Sequence, residues 1–308
     1  MKPKHLIEYA GLRLVFLVLN TLPYRVALGA GWVLAKGLHL VLRGRVREAR
    51  RRIREVFPDL PETEVRRIAS TSLRNMVFNS VEMMRAGRLD AAWMARHVDM
   101  HNLFDVARRH LAERPVIFAV VHMGNWDLAG LAVEQGGIPS FFIMRSQRNP
   151  LTTQLLNAGR TAHGSQVLER DDPSVVRKSV RLLKEGKAMA ILLDLRARTE
   201  ALSLRFLGRP ANIAGGTGLM AYLSGAAVLP CRVVRTGWDR HEVEVLDEIL
   251  VERSGEKAAE IERITRRALD ALSAEVLKAP EQYFWFNRRW VLEPLASSDV
   301  QHRPAETR

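Results

Sequence analysis

VIFAVVHMGNWDLAGLAV, residues 116–133, runs without a polar side chain from Val116 to Val121, meets His122, and turns through Met123, Gly124 and Asn125 to Trp126 and Asp127. A short unbroken apolar run reads as a strand covered on both faces, and the Gly-Asn pair supplies the small, left-handed-tolerant residues of a tight turn. From Trp126 the pattern is that of a helix. Strand, turn and helix in so few residues set the texture for most of the chain. Further strand candidates are 140–145, 188–194, 227–235 and 242–247, with the first at 115–122. Helical patterns fall at about 126–136, 150–163, 173–186, 213–224 and 256–278. Strands alternating with helices predict an α/β fold with a mainly parallel central sheet flanked by helices. The stretch TGWDRHE, 236–242, reads as a hairpin turn, which makes the last strand pair antiparallel. No internal repeat or low-complexity tract interrupts this order.

Upstream the texture differs. LVFLVLNTLPY (14–24) and VALGAGWVLA (26–35) carry no charge, but Arg25 and Lys36 interrupt them before either reaches the roughly 20 residues a spanning helix needs. Two apolar helices broken at Pro23 are the expectation, with one tilted span across 12–35 as the alternative; the start does not read as a secretory signal. LRGRVREARRRIREVF follows, with seven arginines and one Glu between Arg43 and Arg54. Beside apolar helices this reads as a device for an anionic membrane surface, where each basic residue contributes about 1 kcal/mol; alone it would read as a solvated charged helix. From Pro61, apolar residues at 65, 68, 69, 73, 76, 77, 81 and 84 mark a long amphipathic helix. The expected organisation is therefore an N-terminal all-helical membrane-associating segment (1–55), an α/β domain (56–296) against which helix 61–85 packs, and a polar tail (297–308).

A net charge of +13 calls for an acidic partner: nucleic acid, an anionic membrane or phosphorylated substrates. Aromatic content of 6% and the lack of zinc-finger spacing or an aromatic RNA-binding signature argue against nucleic acid. The single cysteine, Cys231, sits in the apolar run AAVLPCRVV. It allows no internal disulfide and no thiolate metal cluster, fits a reducing, cytosol-facing location, and reads as packing.

In open α/β sheets ligands sit beyond the carboxyl ends of strands, which is where His122 falls. The tight turn brings Asp127 back towards it, so the carboxylate is placed to accept a hydrogen bond from one imidazole nitrogen and leave the other as a base. A carboxylate-held His deprotonates a hydroxyl at neutral pH and contributes about 10²- to 10⁴-fold. The alternative is structural: Asp127 caps the helix and His122 merely ends the strand. No G-x-S-x-G elbow accompanies them, which favours direct attack by a substrate hydroxyl over a covalent acyl-enzyme. No third ligand follows at a recognisable interval, so no metal site is expected.

HMGNWD resembles the H-x4-D motif of glycerolipid and glycolipid acyltransferases, and the chain as a whole resembles the bacterial lipid A biosynthesis (lauroyl/myristoyl) acyltransferase family. The wider likeness rests on EVFPDLPETEVRRIASTSLRNM, IMRSQRNPLTTQLLN, LKEGKAMAILLD, RFLGRPANIAGGTGLMAYLSGAAVLP and PEQYFWFNRRW, which occur in the family's order over about residues 5 to 291. The resemblance implies an enzyme on the cytoplasmic face of the bacterial inner membrane, peripheral or with one N-terminal anchor. It would transfer a fatty acyl chain from acyl carrier protein, or from coenzyme A, to a hydroxyl of a phosphorylated glycolipid, without a cofactor. His122 would be the general base and Asp127 its orienting partner. Arg145, in MRSQRNP, matches a basic family position, where it would contact substrate phosphate or polarise the thioester carbonyl. Asp194 and Arg196 fall where the family carries an Asp-Gln pair, Leu195 replacing the Gln, and Asn287 stands where W-x-H-R-R is expected. Both departures bear on the acceptor more than on the reaction. Arg288 and Arg289 are candidate phosphate contacts, and Arg209 with the glycine-rich AGGTG (214–218) precedes a helix N-terminus, a feature that attracts anions. A phosphatidylinositol mannoside acyltransferase is the alternative within the class; a non-catalytic membrane-binding scaffold is the alternative outside it.

Overall fold

The structure is a computed structural model that describes residues 3–145, 149–161, 163–197, 201–253 and 255–293. The N-terminal region is helical throughout, as its composition predicts: α1 (Pro3–Thr21), α2 (Tyr24–Val41), α3 (Arg43–Val56) and α4 (Glu62–Met84). The chain breaks at Pro23, so residues 12–35 do not form one continuous helix. No single described helix is long and apolar enough to cross a membrane; α2 and α3, bent by 90° at Leu42, meet that length and composition only as a pair. Ala27, Leu28 and Gly31 bury one face of α2 against Phe78 and Val81 of α4. The other face stays in the open, with Val33 and Val41 64% and 79% exposed, and α1 exposes Ile7 and Leu14 in the same way.

After α4 come α5 (Ala91–His97), β1 (Val98–Asp99), α6 (Leu103–Leu111), β2 (Val116–Val120), α7 (Trp126–Gln135) and β3 (Ser140–Met144). They are followed by α8 (Pro150–Arg160), β4 (Gln166–Glu169), α9 (Val175–Lys184) and β5 (Ala188–Leu192). The chain closes with β6 (Leu202–Phe206), β7 (Arg209–Ile213), α10 (Gly216–Ser224), β8 (Ala227–Arg235), β9 (His241–Val245) and α11 (Lys257–Lys278). Among the described residues seven strands form one sheet in the order β1-β9-β8-β2-β5-β3-β4. The run β8-β2-β5-β3-β4 is parallel, and β9 returns antiparallel beside β8, as the TGWDRHE turn predicts.

Helices cover both faces of this sheet, and every residue of β2 is buried, which is why that strand reads as an uninterrupted apolar run. On one face α9, α10, α11 and the start of α4 enclose a core with Ile117, Met189 and Leu269; on the other, α6 and α7 enclose one with Phe118, Leu131 and Leu229. Cys231 lies within the second, where burial pushes its thiol far above the usual range. Within AGGTG, Gly218 serves packing: a Cβ there would stand 2.2 Å from the Ile261 carbonyl oxygen, so only glycine lets α10 approach α11.

Candidate active site

Two neighbouring strands build the centre of the site. The parallel register of β2 and β5 sets Val120 beside Leu192. The residues two positions further along each chain, His122 and Asp194, therefore emerge side by side at the carboxyl edge of the sheet. His122 Nδ1 lies 2.9 Å from Asp194 Oδ1, and the His122 backbone N–H donates to Asp194 Oδ2 at 3.1 Å. A carboxylate only accepts, so Nδ1 carries the proton and Nε2 on the far side of the ring is the acceptor. The Tyr283 hydroxyl donates to Asp194 Oδ2 at 2.8 Å, holding the carboxylate from behind.

Asp194 is buried, with 1% of its surface exposed. Burial alone would push its carboxyl up, but the charge of His122 and the donors on both oxygens outweigh that and hold it below the usual carboxylate range. Burial pulls the His122 imidazole down, yet the adjoining Asp194 charge and hydrogen bond, with a further pull from Asp127, leave its pKa above the ordinary value of 6.5. The Tyr283 phenol is pushed well up by burial and by Asp194.

The carboxylate at Nδ1 is thus Asp194, where the short turn points to Asp127. Asp127 sits in the first turn of α7 and acts on the imidazole through its charge. Trp126 lies edge-on to the His122 ring at 4.8 Å. The capping task that spacing offered to Asp127 falls to Asn125, whose side-chain oxygen accepts from Leu128 N–H at 3.1 Å.

The loop between His122 and α7 is clamped from two sides. Phe284 N–H donates to the His122 carbonyl at 2.8 Å and Gly124 N–H to the Gln282 carbonyl at 3.0 Å, so the aromatic run YFWF is core and clamp together. On the other side Asn79 donates to the Gly124 carbonyl at 2.5 Å and Asn125 to Glu82 at 2.7 Å. Glu82 is fully buried and paired with Arg235 and His241, and the Tyr24 hydroxyl of α2 donates to it at 2.6 Å. Burial would raise the Glu82 carboxyl, but Arg235 and His241 hold it well below the usual range.

A cavity of about 730 Å³ opens at this edge. Val120, Phe142, Ile191 and Leu192 give it an apolar floor, while His122, Asp127, Arg170, Arg196 and Arg289 stand around it, with the N-terminus of α10 at Gly216. Of the candidates read from sequence, His122, Asp127, Arg196 and Arg289 line the cavity, with Asp194 buried behind His122. Arg145 pairs with Asp171 on the cavity wall at 3.3 Å. Arg209 points elsewhere, donating to the Glu55 carbonyl at 2.8 Å, and Arg288 is exposed outside the lining. Ser146, Gln147 and Arg148 of the MRSQRNP block, and the tail 297–308, lie outside the described residues. Arg52, from the basic stretch, is buried and donates to the Trp285 and Asn287 carbonyls at 2.9 and 2.7 Å, so this arginine anchors the closing segment and does not face a surface partner.

A buried Asp-His pair beside a largely apolar cavity at the carboxyl edge of an α/β sheet can take up a proton at His122 Nε2. The chain belongs to the bacterial lipid A biosynthesis acyltransferase family, whose sequence profile matches residues 1–291, and it is an acyltransferase. It is 24% identical over 307 residues to the lipid A biosynthesis palmitoleoyltransferase of Escherichia coli (strain K12), covering 97% of this chain and 96% of that protein. The lipid A biosynthesis lauroyltransferase of the same organism is 22% identical over 298 residues, 96% of this chain and 94% of the relative. The phosphatidylinositol mannoside acyltransferase of Mycolicibacterium smegmatis is 21% identical over 219 residues, 69% and 68% of the two chains.

Proposed function

We propose that the protein transfers a fatty acyl chain from a thioester, acyl-acyl carrier protein or acyl-coenzyme A, to a hydroxyl of a lipid A precursor or similar phosphorylated glycolipid, working at the cytoplasmic face of the inner membrane. The observation that carries this reading is the His122–Asp194 contact of 2.9 Å at the mouth of an apolar cavity. His122 Nε2 takes the proton of the acceptor hydroxyl as its oxygen attacks the thioester carbonyl. The new C–O bond forms, the oxyanion collapses, the C–S bond breaks, and the departing thiolate takes the proton from the imidazolium. Asp194 and Asp127 stabilise the imidazolium between these steps. Arg196 and Arg289 supply positive charge for the oxyanion or for acceptor phosphate. Among the described residues lining the cavity there is neither serine nor cysteine, and the one hydroxyl, that of Thr217, is buried in the first turn of α10.

Exposed apolar side chains on α1 and α2, next to the basic α3, support membrane association. A phosphatidylinositol mannoside acceptor is the second reading, favoured by the likeness to the phosphatidylinositol mannoside acyltransferase of Mycolicibacterium smegmatis. Purified protein supplied with radiolabelled acyl-acyl carrier protein and either lipid distinguishes the acceptors. His122→Ala is expected to abolish labelling without unfolding the chain. Labelling undiminished in that variant overturns the base, and a folded parent that labels neither lipid leaves the scaffold reading in place.

A further inference from the structure

Between α2 and α4, in a region formed by other elements than the catalytic cavity, lies a cleft of about 340 Å³ lined by Lys36, His39, Ser70, Thr71 and Arg74 with Trp32 at its edge. Its described lining offers cations and hydroxyls and contains no carboxylate. Arg50 Nη2 lies 3.4 Å from His39 Nε2. Because a guanidinium only donates, Nε2 accepts, and the proton of the neutral ring sits on Nδ1. Burial and the nearby Arg50 charge both hold the His39 pKa below its ordinary value, which favours that neutral ring. His39 Nδ1 is itself buried and has no partner among the described residues. A buried N–H without an acceptor is costly, so a residue of the cleft lining holds, just beneath its surface, a donor in want of an acceptor among positive charges.

The surroundings specify what brings that acceptor. Leu40 lines the cleft and is 63% exposed, and Val33 and Val41 continue its apolar stripe along α2. Lys36 Nζ stands 4.1 Å over the Trp32 ring, an ammonium on an amphipathic ring of the kind that sits at headgroup depth. Basic α3 follows directly at Arg43. We infer that this cleft binds the phosphate of an anionic membrane phospholipid, with Lys36 and Arg74 on the headgroup, the His39 ring turning to bring its Nδ1 proton out of its buried position onto the phosphate, and the lipid tails along the exposed face of α2.

This inference rests on the membrane reading above, and one experiment separates the two. The full-length protein is sedimented with vesicles of phosphatidylcholine, with and without phosphatidylglycerol, and the ratio of the two partition coefficients is compared among parent, His39→Phe and Lys36→Gln. His39→Phe keeps ring volume and changes no charge on a neutral ring, so diffuse attraction to a negative surface leaves its ratio unmoved. Loss of a hydrogen bond to a charged phosphate is expected to lower it about tenfold or more. Lys36→Gln is expected to lower it as well, with circular dichroism unchanged in both. Vesicles that carry oleate in place of phosphatidylglycerol test the phosphate itself, and there parent and His39→Phe are expected to agree. A preference for phosphatidylglycerol that survives both substitutions overturns the cleft and leaves membrane association standing. An equal deficit on oleate vesicles overturns the phosphate assignment, and a parent that sediments with neither lipid removes the membrane reading and the cleft together.

Discussion

Asp194 engages His122 twice, accepting from the backbone N–H on one oxygen and facing Nδ1 with the other at 2.9 Å, so that strand end, ring orientation and tautomer are set by one buried carboxylate. The raised His122 pKa fixes the sign of the pH dependence expected of the proposed base, because an imidazole accepts a proton only when neutral. Activity should rise with pH through a value above the ordinary 6.5. Stability runs the other way: the His122 contribution is present below its unfolded pKa and lost as pH rises through the folded value. The depressed Asp194 gives stability that is present above its ordinary 3.8 and lost as pH falls through the folded value. Asp194→Asn removes the charge and admits the wrong tautomer. The acid limb of kcat/KM should move to lower pH and the plateau should fall about 10²-fold or more. A pH profile with an unmoved limb would disprove the pairing.

Tyr283→Phe should move that limb in the opposite direction. The substitution keeps the ring that packs edge-on against Trp285 at 5.2 Å and removes only the donor to Asp194 Oδ2. Left with one donor fewer, Asp194 holds the imidazolium more tightly and the His122 pKa climbs. Denaturant unfolding should show a loss of about 1–2 kcal/mol, the cost of a buried acceptor left short. A limb that stays in place while stability drops would give Tyr283 a purely structural role.

The β2 and β5 runs were both legible in sequence, and each is followed by a titratable residue, His122 and Asp194. What sequence alone withholds is that the two strands are neighbours in a register that sets Val120 beside Leu192. Chain proximity favoured Asp127; sheet topology brought in a residue 72 positions away. The β6–β7 hairpin escaped for another reason. Its turn is Leu207-Gly208, both at positive φ, and Leu in a left-handed turn position carries none of the Asn-Gly or Asp-Gly signal of a two-residue turn. β4 is only four residues, QVLE, and pairs on one side only, with β3, so it has no long apolar run to announce it. The amphipathic pattern of 61–85 predicted the helix α4, but the spacing of its apolar residues carries no sign that Glu82 is buried, paired there with Arg235 and His241.

Gly124→Ala should disable the enzyme by moving the loop without touching a catalytic group. Gly124 has φ +59°, and a Cβ there would stand 2.3 Å from the Val233 carbonyl oxygen, a backbone atom that cannot rotate away. The expected loss is about 2 kcal/mol or more, since both strain and displacement contribute. Gly186→Ala serves as the comparison: its φ is +84° with open space around it, so it should cost about 1–2 kcal/mol and leave kcat alone. Equal costs in unfolding measurements would mean that the Val233 contact is relieved by an easy shift of the loop.

Glu82 and Arg235 separate what holds the protein together from what holds the catalytic loop. Both side chains are almost wholly buried, and Glu82→Gln leaves Arg235 as an uncompensated interior charge, which should cost about 3–5 kcal/mol. Replacing both partners by apolar residues, Glu82→Leu with Arg235→Met, removes the charge as well as its partner and should recover much of that stability. It should not recover turnover. Asn125 donates to Glu82 and Asn79 accepts from Arg235, and these two asparagines cap α7 and grip the Gly124 carbonyl. In the double variant the midpoint of unfolding should therefore approach that of the parent while kcat stays depressed about tenfold or more, at the scale of a catalytic group displaced by a fraction of its hydrogen-bond length. If kcat returns with stability, the network serves the fold alone, and the loop keeps its geometry from the Gln282 and Phe284 clamp.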